Sequence, residues 1–261
     1  MNWLSKMKKV VSPRLPYGWS GDYQSWEQAA ALCDGYSKEE ILERCKASLL
    51  KVKNGEAVYE RDSVLFDEVQ YSWPLLAGLL KAALCNKGNL CVLDFGGSLG
   101  SSYFQNRNYL SGCNQLTWCI VEQPHFVECG RSHFADEFLF FFDRIETCIA
   151  SKNVNVLLLS GVLQYLPDPF KWIENFTSYQ FPYILVDCMP FNKEKRNRLT
   201  IQRVHPSTYE ASYPCWFLNY QMVLDAFLKN YHIVSDHDNI FEIELDNMKY
   251  RYKGFLLKHN E

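Results

Sequence analysis

The sequence lacks any apolar stretch long enough to cross a membrane. No unbroken run of apolar residues exceeds five, and Phe138–Phe142 is one such run, whereas a membrane-spanning helix needs roughly 20 apolar residues. It also lacks a basic surplus, because 27 Lys and Arg residues stand against 30 Asp and Glu residues, for a net charge of −3. Nucleic-acid-binding proteins normally carry such a surplus. We therefore expect no integral membrane association and no nucleic-acid partner.

A secretory signal is also missing from the first residues, which contain basic side chains but no apolar core and no small-residue cleavage site. The ten cysteines include no Cys-x-x-Cys pair, and several lie in apolar runs such as Leu90–Leu93. Because disulfides need an oxidising compartment, this pattern favours reduced, buried thiols. The expected localisation is cytoplasmic, and no metal site is predicted.

Short apolar strands alternate with helical patterns from Leu90 onwards. The seven predicted strands are 90–95, 116–122, 138–142, 155–160, 183–187, 231–235 and 249–257. Near-continuous apolar strands that are separated by helices indicate a parallel sheet covered on both faces. The predicted fold class is α/β, with a Rossmann-like, doubly wound and mostly parallel seven-stranded sheet.

The first 88 residues show helical periodicity and no strand pattern. One apolar helical pattern runs from about Asp62 to Leu84, and Pro74 is expected to kink or split it. We therefore predict a helical N-terminal cap over residues 1–88, followed by the Rossmann-like domain over residues 89–261. Residues 188–215 are predicted to form a long irregular loop, of the kind that serves as a lid or a binding loop.

The most informative segment follows the first strand of the predicted sheet. The buried strand ends at Asp94, and a turn containing Gly96, Gly97 and Gly100 leads into a helix. In doubly wound sheets, ligands bind at the carboxyl ends of the strands, and glycines let a ligand approach the backbone closely. These four residues are therefore predicted to bind a cofactor.

The spacing of the glycines distinguishes between two cofactors. The dinucleotide pattern G-x-G-x-x-G, started at Gly96, requires glycines where the chain has Ser98 and Ser101. The methyltransferase pattern, acid-x-G-x-G-x-G, is met at Asp94, Gly96 and Gly100, with Ser98 in place of the middle glycine. S-adenosylmethionine has no phosphates and needs only a close backbone with polar groups nearby, so the pattern favours it over a nicotinamide cofactor.

Acidic residues also end the next two predicted strands. Glu122 follows the second strand, 28 residues after Asp94, where a carboxylate can accept both ribose hydroxyls. Asp143 follows the third strand, in a position suited to the adenine amino group. Each of them taken singly fits a solvated strand end equally well, but together they favour a nucleoside-binding edge.

The fourth strand continues as Ser160-Gly-Val-Leu-Gln-Tyr-Leu-Pro-Asp-Pro169, and this stretch resembles class I S-adenosylmethionine-dependent methyltransferases. More narrowly, the chain resembles a methyltransferase family encoded among bacterial surface-polysaccharide genes. The stretches that carry this resemblance are Tyr17–Tyr23, Tyr59–Ser63, Leu93–Gly100, Val121–Gln123 and Tyr213–Phe217. The resemblance implies S-adenosylmethionine as the cofactor, Ser160 as part of its site, and a small-molecule, nucleotide-sugar or glycan substrate.

The best candidates for a catalytic base are Asp187, which ends the fifth strand, and His205 in the 188–215 segment. A surface histidine with no catalytic role explains His205 equally well. The same segment supplies Arg196, Arg198 and Arg203, which predict a clamp for an acceptor phosphate or carboxylate, with a solvated basic loop as the alternative. A non-catalytic Rossmann-like protein that binds a nucleotide or a partner stays open beside the enzyme.

Overall fold

The computed structural model describes residues 17–35, 39–192 and 194–260, with the side chain of Ile240 left out. The strands are β1 (Gly18–Tyr23), β2 (Tyr59–Arg61), β3 (Val64–Phe66), β4 (Asn89–Phe95), β5 (Gln115–Val121), β6 (Leu139–Phe142), β7 (Val156–Ser160), β8 (Tyr183–Asn192), β9 (Arg198–Arg203), β10 (Ser212–Asn219), β11 (Tyr231–Leu245) and β12 (Met248–His259). The helices are α1 (Trp26–Ala30), α2 (Glu39–Lys53), α3 (Trp73–Cys85), α4 (Ser101–Leu110), α5 (Pro124–His133), α6 (Ile145–Ser151), α7 (Pro169–Ser178) and α8 (Tyr220–Phe227), with a 3₁₀ turn at Leu163–Tyr165.

All seven predicted strands are present in one sheet, so the predicted fold class is confirmed. Strands β6, β5, β4, β7 and β8 lie side by side and run parallel. Strand β12 pairs antiparallel with β8 on one side and with β11 on the other. When the seven predicted strands are numbered in chain order, their order across the sheet is 3-2-1-4-5-7-6. The dinucleotide-binding order 3-2-1-4-5-6 has no antiparallel strand between the fifth and sixth positions.

Alternating side chains of the central strands build a core on each face of the sheet. On β4, Val92 packs into the core under α2 to α5, and its neighbour Leu93 packs into the core under α6 to α8. On β7, Leu158 and Leu157 divide in the same way, and all four side chains have zero exposure. Burial on both faces explains why these strands are apolar throughout rather than alternating.

The expectation that no strand precedes residue 88 was wrong. Strands β1, β2 and β3 lie in this region, and the predicted helix over 62–84 begins only at Trp73. Asp62 and Ser63 adopt φ angles of 51° and 66°, which make a tight turn between β2 and β3 instead of a helical turn. Pro74 lies in the first turn of α3, where its missing N–H leaves no bond unmade.

The prediction of a long irregular loop over residues 188–215 was also wrong for most of that segment. Strand β8 continues to Asn192, and β9 and β10 pair antiparallel, with β1 added on the far side of β9. Within the described residues the sheet therefore has ten strands rather than seven. The division of the chain between residues 88 and 89 stays a prediction, although β1 supplies a strand from the N-terminal side.

In the described ranges, no helix combines the length and the apolar character that a membrane crossing requires.

The packing of α5 on β6 gives a test of this core. A Cβ atom at Gly130 would lie 2.3 Å from the ring of Phe141, and Phe141 is buried. We expect Gly130→Ala to lower the free energy of unfolding by roughly 1–3 kcal/mol, as is typical of overpacking. Gly112→Ala is the control, because nothing lies within 4 Å of its added methyl group. Equal urea midpoints for the two variants would contradict this packing.

Candidate functional site

The Gly-rich turn joins β4 to α4 through three left-handed residues. Gly96, Ser98 and Gly100 have φ angles of 71°, 53° and 105°. The amide of Gly96 donates a hydrogen bond to the carbonyl oxygen of Val121 at 2.9 Å, so the turn lies beside the carboxyl end of β5. Ser98 adopts the conformation that the missing middle glycine would supply, and the serine therefore does not break the turn.

Asp94 supports this turn from within the protein. Its carboxylate is 1% exposed and accepts a hydrogen bond from Trp118 Nε1 at 3.1 Å. Burial raises the pKa of Asp94 to about 7, against the Trp118 hydrogen bond, and the charge of Glu122 raises it further. A Cβ atom at Gly97 would lie 2.6 Å from Asp94 Cγ. Glycine is therefore needed at position 97 for the carboxylate to fit beneath the turn.

The raised pKa of Asp94 predicts a specific pH dependence of stability. The pKa of Asp94 is higher in the folded protein than in the unfolded chain, so between about pH 4 and pH 7 the native state holds a proton that the unfolded state has released. The free energy of unfolding of the wild type therefore falls as the pH rises through this range. Asp94→Asn keeps an acceptor for Trp118 but carries no charge. The variant should therefore gain on the order of 2 kcal/mol relative to wild type between pH 5 and pH 8. Urea unfolding of both proteins at pH 5 and pH 8 measures this gain. A difference in stability between variant and wild type that is the same at both pH values would contradict the burial of a titrating Asp94.

Glu122 lies at the end of β5 and faces the same turn. Its side chain is half-buried, and Oε2 accepts a hydrogen bond from the amide of Gln123 at 2.6 Å. Burial raises the pKa of Glu122, while the backbone amides of Gln123 and Ser98 lower it. The structure thus brings Glu122 and the Gly-rich turn together, as the sequence predicted.

The two other predicted cofactor residues end the neighbouring parallel strands. Asp143 follows β6 and is exposed. Ser160 ends β7 and is half-buried, and its hydrogen bond to the Cys188 thiol lowers the pKa of that thiol, against the larger effect of burial. Both residues lie at the same edge of the sheet as Gly96 and Glu122, because all these strands run parallel.

Asp187, the first candidate for a catalytic base, is enclosed by other side chains. It is 1% exposed, and Oδ1 accepts a hydrogen bond from Asn239 Nδ2 at 3.1 Å and lies 3.2 Å from His237 Nε2. The next residue, Cys188, has a φ angle of 55°, and the pairing with β12 shifts register opposite it, between Lys253 and Phe255. A bulge therefore interrupts β8 directly after its parallel pairing with β7 ends at Asp187.

His205, the second candidate, is exposed in the connection between β9 and β10. Its Nδ1 lies 2.8 Å from Ser207 Oγ, and its ring packs edge-on against Tyr17 with a centroid distance of 4.8 Å. Among the hydrogen bonds and ring contacts of the described part of the chain, none joins His205 to Asp187. The catalytic role of both residues stays a prediction.

The predicted arginine clamp does not have the loop geometry it required, because Arg198 and Arg203 lie on strand β9. Arg198 is buried, donates from Nε and Nη2 to the carbonyl oxygen of Gly21, and forms an ion pair with Asp246. The exposed Arg203 donates to Ser20 Oγ at 3.3 Å.

Arg196 also has protein partners, since it forms a two-point ion pair with Asp22 and a second ion pair with Glu194. Arg196 and Arg198 therefore tie β1 to the β8–β9 region, and this use of the arginines corrects the clamp prediction.

Sequence reasoning missed the part of the site formed by β2 and β3. Glu60 is 3% exposed and accepts hydrogen bonds from Ser101 Oγ, in the first turn of α4, and from the amide of Ser63 at 3.2 Å. Burial raises the pKa of Glu60 to about 7, against the hydrogen bond from Ser101. A carboxyl group thus lies at the N-terminus of α4, directly after the Gly-rich turn. The only sequence signal for it was the resemblance carried by Tyr59–Ser63.

No metal-binding cluster of three or more His, Cys, Asp or Glu side chains occurs in the described residues.

No family model matches the chain, and no curated protein matches it. Several solved structures are similar to it over part of the chain. A methyltransferase from Methanosarcina mazei, described as SAM-dependent, is 12% identical over 66% of this chain and 93% of its own, with a TM-score of 0.46. The 1,6-didemethyltoxoflavin-N1-methyltransferase of Burkholderia thailandensis is 13% identical over 87% and 92%, with a TM-score of 0.40. The N-terminal domain of EvdMO1, solved with SAH and D-fucose, is 13% identical over 85% and 100%, with a TM-score of 0.46.

Proposed function

We propose that this chain is a methyltransferase that uses S-adenosylmethionine to methylate a small or sugar-type acceptor. The observation that carries the proposal is the pairing of the left-handed turn through Gly96, Ser98 and Gly100 with Glu122 at the end of the adjacent strand. Parallel sheets bind their ligands at this edge. S-adenosylmethionine supplies an electrophilic methyl group on a positively charged sulfur.

The carboxyl group of Glu60 favours this cofactor over a nicotinamide dinucleotide. In dinucleotide-binding domains the pyrophosphate binds at the N-terminus of the helix that follows the Gly-rich turn. Here Glu60 already accepts the hydrogen bond from Ser101 at that end of α4. A pyrophosphate would meet a carboxyl group at the place where it needs hydrogen-bond donors. S-adenosylmethionine has no phosphate groups, so it does not need those donors at this end of α4.

The residues at this edge divide into three groups of proposed contacts. Gly96, Gly97 and Gly100 border the methionine end of the cofactor, with Asp94 holding the turn from beneath. Glu122 accepts hydrogen bonds from the ribose hydroxyls, and Asp143 lies near the adenine. Ser160 borders the cofactor from the end of β7.

Ser98 no longer favours the non-catalytic alternative. The reason for considering a protein that only binds a nucleotide was the missing glycine at this position, and Ser98 takes the left-handed conformation without it. The resemblance to methyltransferases encoded among surface-polysaccharide genes supports a role in that pathway, in the cytoplasm, with a nucleotide-sugar or glycan as acceptor.

Ligand-induced stabilisation tests the choice of cofactor. A ligand that binds only the folded state raises the unfolding temperature in proportion to the logarithm of its concentration. We expect S-adenosylhomocysteine to raise the Tm of the wild-type protein and NADH to leave it unchanged. A rise with NADH alone would favour a nicotinamide enzyme and contradict the proposal.

A further inference from the structure

A cavity of about 410 Å³ lies between the start of α1, the start of α7 and strand β10, and we call it the tryptophan cavity. Its lining comes from four separate parts of the chain, which are Ser25–Glu27, Pro167–Phe170, Asn197, and Trp216 with Leu218. Sites for small molecules have volumes of roughly 300–1,000 Å³. The tryptophan cavity therefore has the size of a small-molecule site, and none of its lining residues belongs to the proposed cofactor contacts.

The tryptophan cavity lies towards the carboxyl ends of the parallel strands. Helix α7 follows β7 in the chain, so its first residues, Pro169 and Phe170, lie at the end of the sheet where that strand finishes. Leu218 of β10 pairs with Phe191, in the part of β8 that continues beyond the parallel pairing with β7. The proposed cofactor contacts also follow the carboxyl ends of parallel strands. The two sites therefore share one edge of the sheet.

Two tryptophan side chains form the aromatic part of this lining. The rings of Trp26 on α1 and Trp216 on β10 stack with a centroid distance of 6.5 Å and an interplanar angle of 26°. Both side chains are half-buried, and both pack against the small core of Ala29, Leu199 and Ile201. Their positions are thus fixed by packing within the protein. A ligand would meet a preformed aromatic surface, which lowers the entropic cost of binding.

The charged part of the lining is negative only. Glu27 and Asp168 are exposed carboxylates, and within the described residues no Lys, Arg or His side chain lines the tryptophan cavity. Asp168 Oδ1 accepts a hydrogen bond from the amide of Lys171 at 3.1 Å, so Oδ2 is left to accept from a ligand. Asn197 Oδ1 accepts from the amide of Asn219 at 2.8 Å, so Nδ2 is left to donate. Such a lining repels anions and offers both acceptors and a donor to hydroxyl groups.

We infer that the tryptophan cavity binds a neutral pyranose sugar. The apolar C–H face of a pyranose can pack on an indole ring, while its hydroxyl groups form hydrogen bonds with carboxylate and amide groups at the side. A phosphate group would lack the cationic partners that normally bind it. The sugar is therefore part of a glycan acceptor rather than of a nucleotide-sugar. This assignment to the acceptor rests on the proposed function.

A small ammonium ion is the other ligand that tryptophans and carboxylates bind together. Such an ion would fill only a small part of a volume of about 410 Å³, and it would make no use of the amide donor of Asn197. A pyranose uses the aromatic rings, the acceptors and the donor together.

Saturation-transfer NMR titrations of the full-length protein, with and without S-adenosylhomocysteine, test this inference. The sugar probes are the methyl glycosides of glucose, galactose, mannose, fucose and N-acetylglucosamine, and the charged probes are UDP-glucose and tetramethylammonium. We expect saturable binding of at least one glycoside by the wild type. Trp26→Ala should weaken that binding at least about 10-fold, since it removes an aromatic ring from the lining. Trp73→Ala is the control, because Trp73 is an exposed tryptophan that packs on Tyr71 and Tyr109 instead.

Trp26→Phe keeps a smaller ring and should bind the same glycoside with an affinity between those of wild type and Trp26→Ala. It also serves as the test if Trp26→Ala does not fold. Absence of glycoside binding, or binding by the Trp26 variants that equals wild type, would overturn the sugar site. Tighter binding of UDP-glucose or of tetramethylammonium than of every glycoside would overturn the choice of a neutral sugar. Failure of the wild type to bind S-adenosylhomocysteine while it binds a glycoside would overturn the proposed function and not the sugar site.

Discussion

Replacing Glu122 with alanine is expected to weaken the binding of S-adenosylhomocysteine about 10- to 150-fold. The carboxylate is half-buried beside Ser98 and would accept charge-assisted hydrogen bonds from the two ribose hydroxyls. Loss of such bonds costs roughly 1.5–3 kcal/mol. Isothermal titration calorimetry of the folded variant measures the change directly.

Two controls separate this effect from a general loss of structure. Glu137→Ala removes an exposed carboxylate just before β6 and should leave the affinity unchanged. Glu122→Gln keeps the shape and should fall between wild type and alanine. An unchanged affinity in folded Glu122→Ala would show that the ribose is bound elsewhere.

Replacing Gly96 with alanine is expected to remove measurable cofactor binding and to destabilise the fold by about 2 to 6 kcal/mol. The φ angle of 71° places the backbone in the left-handed region, where a side chain costs about 1–3 kcal/mol. The new Cβ would also lie 2.6 Å from Val162 Cγ2, and relief of that overlap costs a further 1–3 kcal/mol or so. Both effects distort the turn that the cofactor must approach.

Ser98→Gly is the matched variant, since it changes the same turn in the opposite direction. Ser98 already adopts a left-handed φ angle of 53°, which glycine adopts with less strain. The glycine variant should therefore keep the fold and the affinity for S-adenosylhomocysteine. The double variant Gly96→Ala with Val162→Ala should regain only the part of the stability lost to the overlap. If Gly96→Ala binds S-adenosylhomocysteine like wild type, the turn is not the cofactor site.

The parallel half of the fold could be predicted from the sequence because its strands are buried on both faces. Runs such as Val156–Leu159 are apolar at every position, which is the pattern expected of a short parallel strand covered on both faces. Strands β9 and β10 could not be found in the same way, since they carry Arg198, Thr200 and Pro214 among their apolar residues. Their pairing depends on partners distant in the sequence, including β1.

The geometry at the carboxyl edge of the parallel strands was predictable for a related reason. Gly96, Gly100 and Glu122 occupy fixed positions relative to parallel strands, so a local pattern is enough to locate them. The position of Glu60 beside α4 depends on where a short hairpin is placed in space, and no periodicity in the sequence reports that. The arginine clamp was wrongly predicted for the same reason. The prediction rested on the positive charges of one segment, whereas Arg198 contacts Gly21 and Asp246, which are distant from it in the sequence.

Calorimetric titration of the wild-type protein with S-adenosylhomocysteine and with NADH tests the central claim most directly. The account predicts saturable binding of S-adenosylhomocysteine with a stoichiometry near one and no heat of binding with NADH. Saturable binding of NADH without binding of S-adenosylhomocysteine would contradict it.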